Sequence, residues 1–170
     1  MLLLRCKKAS LKKNIIQLLM LDSIDLKILQ LLQQNARLTM KEIAAQLNLS
    51  TTPIFDRMKR MEKEKVIDRY VALVDPAKVG KTLFAFVHIS LKEHARPQVE
   101  EFVEQVIEFP EVLECYHVTG DADFVLKVVL GNIEAYNQFV LDKLSVVSNI
   151  GKVESRFCLS VRKYSTEIPL

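Results

Sequence analysis

The stretch TMKEIAAQLNLSTTPIFDRMKRMEKEK, residues 39–65, reads as two helices joined by a tight turn. Thr39 opens the first, with Glu42 three positions on; in this pairing each side chain satisfies a backbone N–H near the other. Ile43, Ala44 and Leu47 form its buried face, and Ala44 and Ala45 are small enough for a close helix crossing. Asn48-Leu49 makes the turn, and Ser50 is placed to cap a helix running to about Lys65. Upstream, Asp22 or Ser23 can cap an earlier helix whose apolar stripe is Ile24, Ile28, Leu31 and Leu32, and Asn35 to Leu38 connects the two. Three helices with a short turn between the second and third are the helix-turn-helix arrangement. Val66 to Val74 is apolar and rich in β-branched residues, and it predicts a strand that leaves this unit and hinges at Asp75-Pro76.

Beyond Gly80 the hydrophobic period changes to two. Leu83 to Leu91 is a strand with both faces largely apolar: Leu83, Ala85, Val87 and Ile89 on one, Phe84, Phe86 and His88 on the other. A helix follows, with Pro97 in its first turn. Val99, Phe102, Val103 and Val106 face inward and Glu100, Glu101, Glu104 and Glu108 outward, until Pro110 stops it. Val112 to Val118 and Phe124 to Leu130 are strands flanking Thr119-Gly120-Asp121. Asn132 can cap a second helix carrying Ile133, Tyr136, Phe139, Val140 and Leu144, and Gly151 precedes a last strand, Val153 to Tyr164. The order βαββαβ is the ferredoxin-like split βαβ motif. Two helices cover one face of such a sheet. The other face, with Phe84 and Phe86, predicts association of two copies through it.

The fold class is therefore α+β, a winged helix-turn-helix followed by a ferredoxin-like αβ-sandwich. The expected boundaries are an N-terminal extension over 1–20, with Met20 an alternative start; a DNA-binding unit over 21–70; a hinge over 71–80; a regulatory unit over 81–165; and a tail over 166–170. At 170 residues and 49% hydrophobic the chain can build two cores and is not disordered. No apolar run is long enough for a membrane helix. Cys6, Cys115 and Cys158 are odd in number and lack framework spacing, which points to free thiols in a cytoplasmic setting. The net charge of +3 resides in residues 1–20, where Arg5, Lys7, Lys8, Lys12 and Lys13 meet no acid. The rest of the chain is net negative, so any nucleic-acid contact must come from a local basic patch. Leu11, Ile15, Leu18 and Leu19 between those lysines fit an amphipathic helix or a flexible extension.

That patch is the third helix. At about 100° per residue, Ile54, Met58 and Met61 fall on the core side, and Thr52, Phe55, Asp56, Lys59, Arg60 and Lys63 mainly on the other. In such motifs the N-terminal half of the recognition helix meets base edges in the major groove. The candidates are Ser50, Thr51, Thr52, Phe55 and Asp56 near bases, with Arg57, Lys59, Arg60 and Lys63 for phosphates or guanine. A solvated face with i,i+4 pairs is the alternative, because Asp56, Glu62 and Glu64 interleave with the cations. The preceding helix and turn favour double-stranded DNA.

These residues, with the second half of the chain, resemble the Lrp/AsnC family of transcriptional regulators. The matching stretches are Leu21-Asp22-Ser23-Ile24-Asp25 with Ile28-Leu29, Leu49-Ser50-Thr51-Thr52-Pro53, Arg57-Met58-Lys59-Arg60-Met61-Glu62, Val66-Ile67 and ECYHVTGDADF at 114–124. They span about residues 21–165. The resemblance implies homodimers built through the regulatory domains, commonly gathered into octamers. It also implies amino acids or similar metabolites as effectors, bound between dimers beside the glycine-aspartate turn. Carried onto this chain, the effector candidates are Thr119, Gly120, Asp121 and Asp123, with His117 beside them. An ammonium would meet the aspartates and a carboxylate the turn N–H groups; a turn-stabilising Asx bond is the structural alternative for those aspartates. Two departures stand out. Lys65 occupies a position often held by glycine, so the helix end there is expected to differ in shape. Ala122 stands where relatives often carry a larger side chain, which alters the pocket.

The expected function is a sequence-specific DNA-binding regulator whose assembly or DNA affinity answers to such a metabolite, with no resident cofactor. Cys115 and His117 share a strand face near Asp121 and could begin a metal site of a metal-responsive regulator. No CxxC or HxxxH supports that, and no metal ligand is assigned. A phosphate loop, a GxSxG and a paired His–Cys are all missing, so the chain does not read as an enzyme. A small-molecule-binding oligomer that no longer reads DNA is the remaining alternative.

Overall fold

The computed structural model describes residues 21–170, and the basic stretch over 1–19 lies outside the described residues. Two compact units form. Among the described residues, 21–72 together with Tyr164–Leu170 make one, and Leu73–Lys163 the other.

The first unit is three helices, α1 Ser23–Gln34, α2 Met40–Leu47 and α3 Thr51–Lys63. Asp22, rather than Ser23, caps α1: its side chain accepts from the N–H groups of Ile24 and Asp25, and Asp25 returns the bond to the Asp22 N–H. Thr39 and Glu42 form the expected reciprocal pair at α2. Asn48 turns the chain in the left-handed region (φ 54°), and the Leu49 N–H closes on the Ala44 carbonyl at 2.9 Å. Ser50 is the N-cap residue of α3, but its side chain makes no capping bond. Ile28, Leu32, Ile43, Ala44, Ile54, Met58 and Met61 are the buried core.

The end of α3 keeps the shape that glycine favours. Lys65 takes φ 60°, its N–H reaches the Glu62 carbonyl and the Val66 N–H reaches Met61. These are the two bonds of a Schellman cap. Val66 and Ile67 pack onto the core and hold the strained lysine in place. The strand expected over Val66–Val74 does not form. Its first two residues are taken by the helical core, and Val71, Leu73 and Val74 are exposed. A strand exists only where a neighbour pairs with it, and among the described residues nothing pairs here. The expected tail is also not free. The Gln33 side chain donates to the Ile168 carbonyl and accepts the Ile168 N–H, while Gln30 donates to the Leu170 carbonyl.

The second unit opens with one 3-10 turn, Pro76–Val79, and then runs β1 Leu83–Leu91, α4 Arg96–Ile107, β2 Val112–His117, β3 Phe124–Leu130, α5 Ile133–Gln138 and β4 Ile150–Phe157. After Gln138 the α5 coil widens into a π turn at Phe139–Lys143 and tightens over Leu144–Val146. The sheet order is β2-β3-β1-β4 with every neighbour antiparallel, as βαββαβ requires. Residues opposite one another share a face. Ala85, Val87, Ile89, Phe124, Leu126 and Val128 are buried under Phe102, Val106, Tyr136, Phe139 and Leu144 from the helices. Each fully buried side chain of this size contributes roughly 1.5–3 kcal/mol.

The last strand is shorter than expected and starts earlier. It ends at Phe157, paired with Ala85 near the start of β1, and Gly151 lies inside it. A Cβ at Gly151 would sit 3.1 Å from the Ser90 carbonyl oxygen, at the point where β1 and β4 slip register. The open sheet face carries Phe84, Phe86 and Tyr116, but also Lys127 with Glu114, and Lys152, Glu154 and Arg156.

Candidate nucleic-acid interface and ligand cleft

Helix α3 buries Ile54, Met58 and Met61 and turns Thr51, Thr52, Phe55, Asp56, Lys59 and Lys63 outward or to the rim. Pro53 stands in its first turn, where a missing N–H leaves no gap in the helical ladder. The Lys59 ammonium lies 4.8 Å from the Phe55 ring centroid, a cation–π contact along the outer face.

The two arginines differ from the lysines. Arg57 Nη1 donates to Asp22 at 2.6 Å and to Asp25 at 2.8 Å; Arg60 Nη2 donates to Asp25 at 2.5 Å. The Asp25 side chain is wholly buried. Asp25 and Asp22 hold the Arg57 proton more firmly than usual, Asp25 most. The Asp22 carboxyl is held below its ordinary range, first by the Asp25 N–H and then by Arg57. Arg57 thus faces the start of α1, where two carboxylates engage it.

In the second unit, the segment between β2 and β3 is stitched on itself and onto β1. The Val118 N–H reaches the Asp123 carbonyl at 2.9 Å, the Asp123 N–H reaches the Ile89 carbonyl at 2.9 Å, and the Ser90 hydroxyl donates to the Asp121 carbonyl at 3.2 Å. Gly120 takes φ 117°, which only glycine adopts readily, and a Cβ there would touch nothing within 4 Å. Asp123 points back into the chain: its carboxylate accepts the Leu91 N–H at 2.8 Å and bonds His94 Nε2 at 2.9 Å. Those contacts, the Leu91 N–H foremost, keep its pKa low. His117 lies on the helix-covered face, stacked on Phe124 with ring centroids 4.6 Å apart.

Thr119 and Asp121 line a cleft of about 600 Å³, with His88, Ser90, Ala122, Lys152, Glu154 and Arg156 among its other walls. Glu154 bonds Lys152 at 2.6 Å and has Arg156 at 3.8 Å; the Lys152 bond holds its carboxyl below the usual range. The cleft therefore offers cations and carboxylates within one small volume. Of the five effector candidates, the structure brings Thr119 and Asp121 to the cleft, with Gly120 shaping the turn between them. Asp123 is used as the structural aspartate and His117 faces away.

Comparison with known proteins accounts for both units. A winged helix-turn-helix DNA-binding model matches residues 21–68, and the Lrp/AsnC ligand-binding domain model matches 84–168. The transcriptional activator DecR of Escherichia coli K12 is 37% identical over 151 residues, covering 89% of this chain and 99% of its own length. The chain belongs to the Lrp/AsnC family. An AsnC-family regulator from Agrobacterium tumefaciens superposes with a TM-score of 0.84 at 40% identity, covering 88% of this chain and 97% of its own. A Neisseria meningitidis transcriptional regulator, solved as its L-Met complex, gives 0.83 at 36% identity, with 88% and 96% covered.

As an Lrp/AsnC protein the chain is a DNA-binding transcriptional regulator with a ligand-binding domain, and its relatives are named as regulators rather than enzymes. Among the described residues no helix is long and apolar enough to cross a membrane, and no three His, Cys, Asp or Glu side chains converge as a metal site. Cys115 and His117 do not meet Asp121, which lines the cleft on the opposite sheet face. Burial alone pushes the Cys115 thiol up, away from reactivity.

Sequence reasoning missed the β1 and β4 walls of the cleft. His88 reads as one more strand residue, and Lys152, Glu154 and Arg156, around the start of the expected last strand, receive no role from the sequence. The available signal was the period: residues 152, 154 and 156 share one face of β4, and in the βαββαβ order that strand lies beside β1.

Proposed function

We propose that this regulator reads double-stranded DNA through α3, with Ser50, Thr51, Thr52, Phe55 and Asp56 toward base edges and Lys59 and Lys63 on phosphates. An amino acid or similar small metabolite in the cleft beside Thr119–Asp121 shifts its assembly or DNA affinity. The observation that carries this reading is the cleft's paired charge: Lys152 and Arg156 suit a carboxylate, and Asp121 and Glu154 suit an ammonium. The L-Met complex of the Neisseria relative supports an amino acid as the class of ligand.

The open sheet face, with Phe84 and Phe86, carries the dimer in this reading, and dimers gather into a larger even-numbered homo-oligomer such as an octamer. The cleft is partly built from that face, so a ligand in it acts at the rim of the assembly. Two recognition helices of a dimer would enter major grooves about one turn apart. By linkage, DNA of the preferred geometry tightens ligand binding by the same factor as the ligand tightens DNA binding. Its work on DNA puts the protein in the cytoplasm.

Calorimetric titration with each of the twenty amino acids tests the site. At least one should bind the wild type, and Asp121→Ala should weaken it tenfold or more while leaving the fold unchanged. Equal binding by Asp121→Ala would remove this cleft from the account.

A further inference from the structure

Asp25 is the one buried charged residue among those described, and it lies at the N-terminus of α1, away from the outer face of α3. An isolated carboxylate there would be costly to bury. Two guanidinium groups from α3 meet it, Arg57 on one oxygen and Arg60 on the other, at 2.8 and 2.5 Å. Asp22 completes a set of two carboxylates and two arginines. Arg60 is drawn in firmly enough that its Nε is buried with no hydrogen-bond partner. The positive end of the α1 dipole adds to the hold on both carboxylates.

We propose that Asp25 is a positioning residue for DNA recognition. By holding Arg57 and Arg60 against α1 it fixes the rotation of α3, which sets Thr51, Thr52, Phe55 and Asp56 in register with base edges. It also withholds two arginines from the phosphates, leaving that contact to Lys59 and Lys63. Selectivity gains on both counts, because phosphate contact adds affinity for every sequence alike. The proposal rests on the reading of α3 as the recognition helix.

The test uses the full-length protein and a duplex that the wild type enriches from a random library, beside a scrambled duplex of equal length. In D25N the ratio of the two affinities should fall tenfold or more. For the scrambled duplex, log affinity against log salt should steepen by about one to two, as freed guanidinium groups reach phosphates. A merely structural role would weaken both duplexes by one factor and leave that slope alone; this result overturns the proposal. If D25N is unfolded by circular dichroism, Arg60→Lys replaces it, since that residue is partly exposed and the charge is kept. A selectivity loss of threefold or more then supports the proposal and unchanged selectivity overturns it. A wild type that enriches no sequence overturns the recognition-helix reading and the proposal together, whereas a selective wild type with an equally selective variant overturns the proposal alone.

Discussion

Helix α3 and the 117–123 turn behave alike in one respect and differ in another. Each is a run of polar residues that looks like a site, and in each the structure divides the run into groups that hold the chain and groups that face outward. In α3, Arg57 and Arg60 hold and Lys59 and Lys63 face out. In the turn, Asp123 and His117 hold and Thr119 and Asp121 line the cleft. The difference is depth. The α3 arginines meet a carboxylate with no solvent access, whereas Asp123 keeps a quarter of its side chain exposed and pairs with an exposed histidine. A buried charge without its partner is far more costly than an exposed one, so disturbing the first unit should cost more.

The largest expected effect follows from that contrast. Asp25→Ala removes the carboxylate that Arg60 meets and leaves Arg57 with Asp22 alone, and with two charge-assisted bonds lost urea unfolding should report a loss of about 3–5 kcal/mol for the helix-turn-helix unit. Asp123→Ala removes a charge-assisted bond from the Leu91 N–H and should lower stability of the second unit by about 1.5–3 kcal/mol. Equal losses in the two variants would erase the distinction of depth. Asp121→Ala, two residues away, should change stability by less than about 0.5 kcal/mol while weakening the ligand response. A large loss there would make Asp121 a structural residue too.

Gly120→Ala tests the turn by itself. Nothing would clash with the added methyl, so only the backbone angle resists, at about 1–3 kcal/mol. The one expected gain is at the end of α3. Lys65→Gly relieves a left-handed lysine and should raise thermal stability by up to about 1 kcal/mol. A loss instead would mean that the lysine side chain contributes more than its backbone strain costs.

Acid sharpens the comparison further. Asp22 is held low first by the Asp25 N–H, Glu42 by the Thr39 N–H and Asp123 by the Leu91 N–H. A depressed folded pKa gives stability that is fully present above the unfolded value and is lost as pH falls through the folded one. The ordinary values are 3.8 for the aspartates and 4.5 for Glu42. Both units should therefore hold constant stability from these groups near neutrality and lose it below about pH 4. Stability that rose on acidification through that range would contradict the assignment.

Much of this was legible in the sequence, for a reason visible in particular residues. Thr39 with Glu42, Asn48 before Leu49 and Asn132 before Ile133 act over three or four positions, so their local chemistry declares itself. The period-two runs fixed the sheet faces. What stayed hidden acts across the chain: Arg57 finds Asp25 thirty-two residues away and Leu91 finds Asp123 at the same separation. Lys152, Glu154 and Arg156 join the cleft only once β4 is laid beside β1. The Val66–Val74 segment misled because β-branched residues describe a willing strand and say nothing of a partner. Lys65 misled in the opposite direction, since the packing of Val66 and Ile67 overrides the preference for glycine.

The most direct test is a gel-shift titration against DNA from upstream of the protein's own gene, at two salt concentrations, with and without each amino acid. The account predicts specific binding that weakens with salt and that at least one amino acid shifts severalfold. It also predicts that Lys59→Ala and Lys63→Ala each flatten the salt dependence by about one. Absence of binding to that DNA and to random genomic fragments at low salt would contradict the account. So would specific binding that no amino acid moves, which would sever the cleft from the control of DNA.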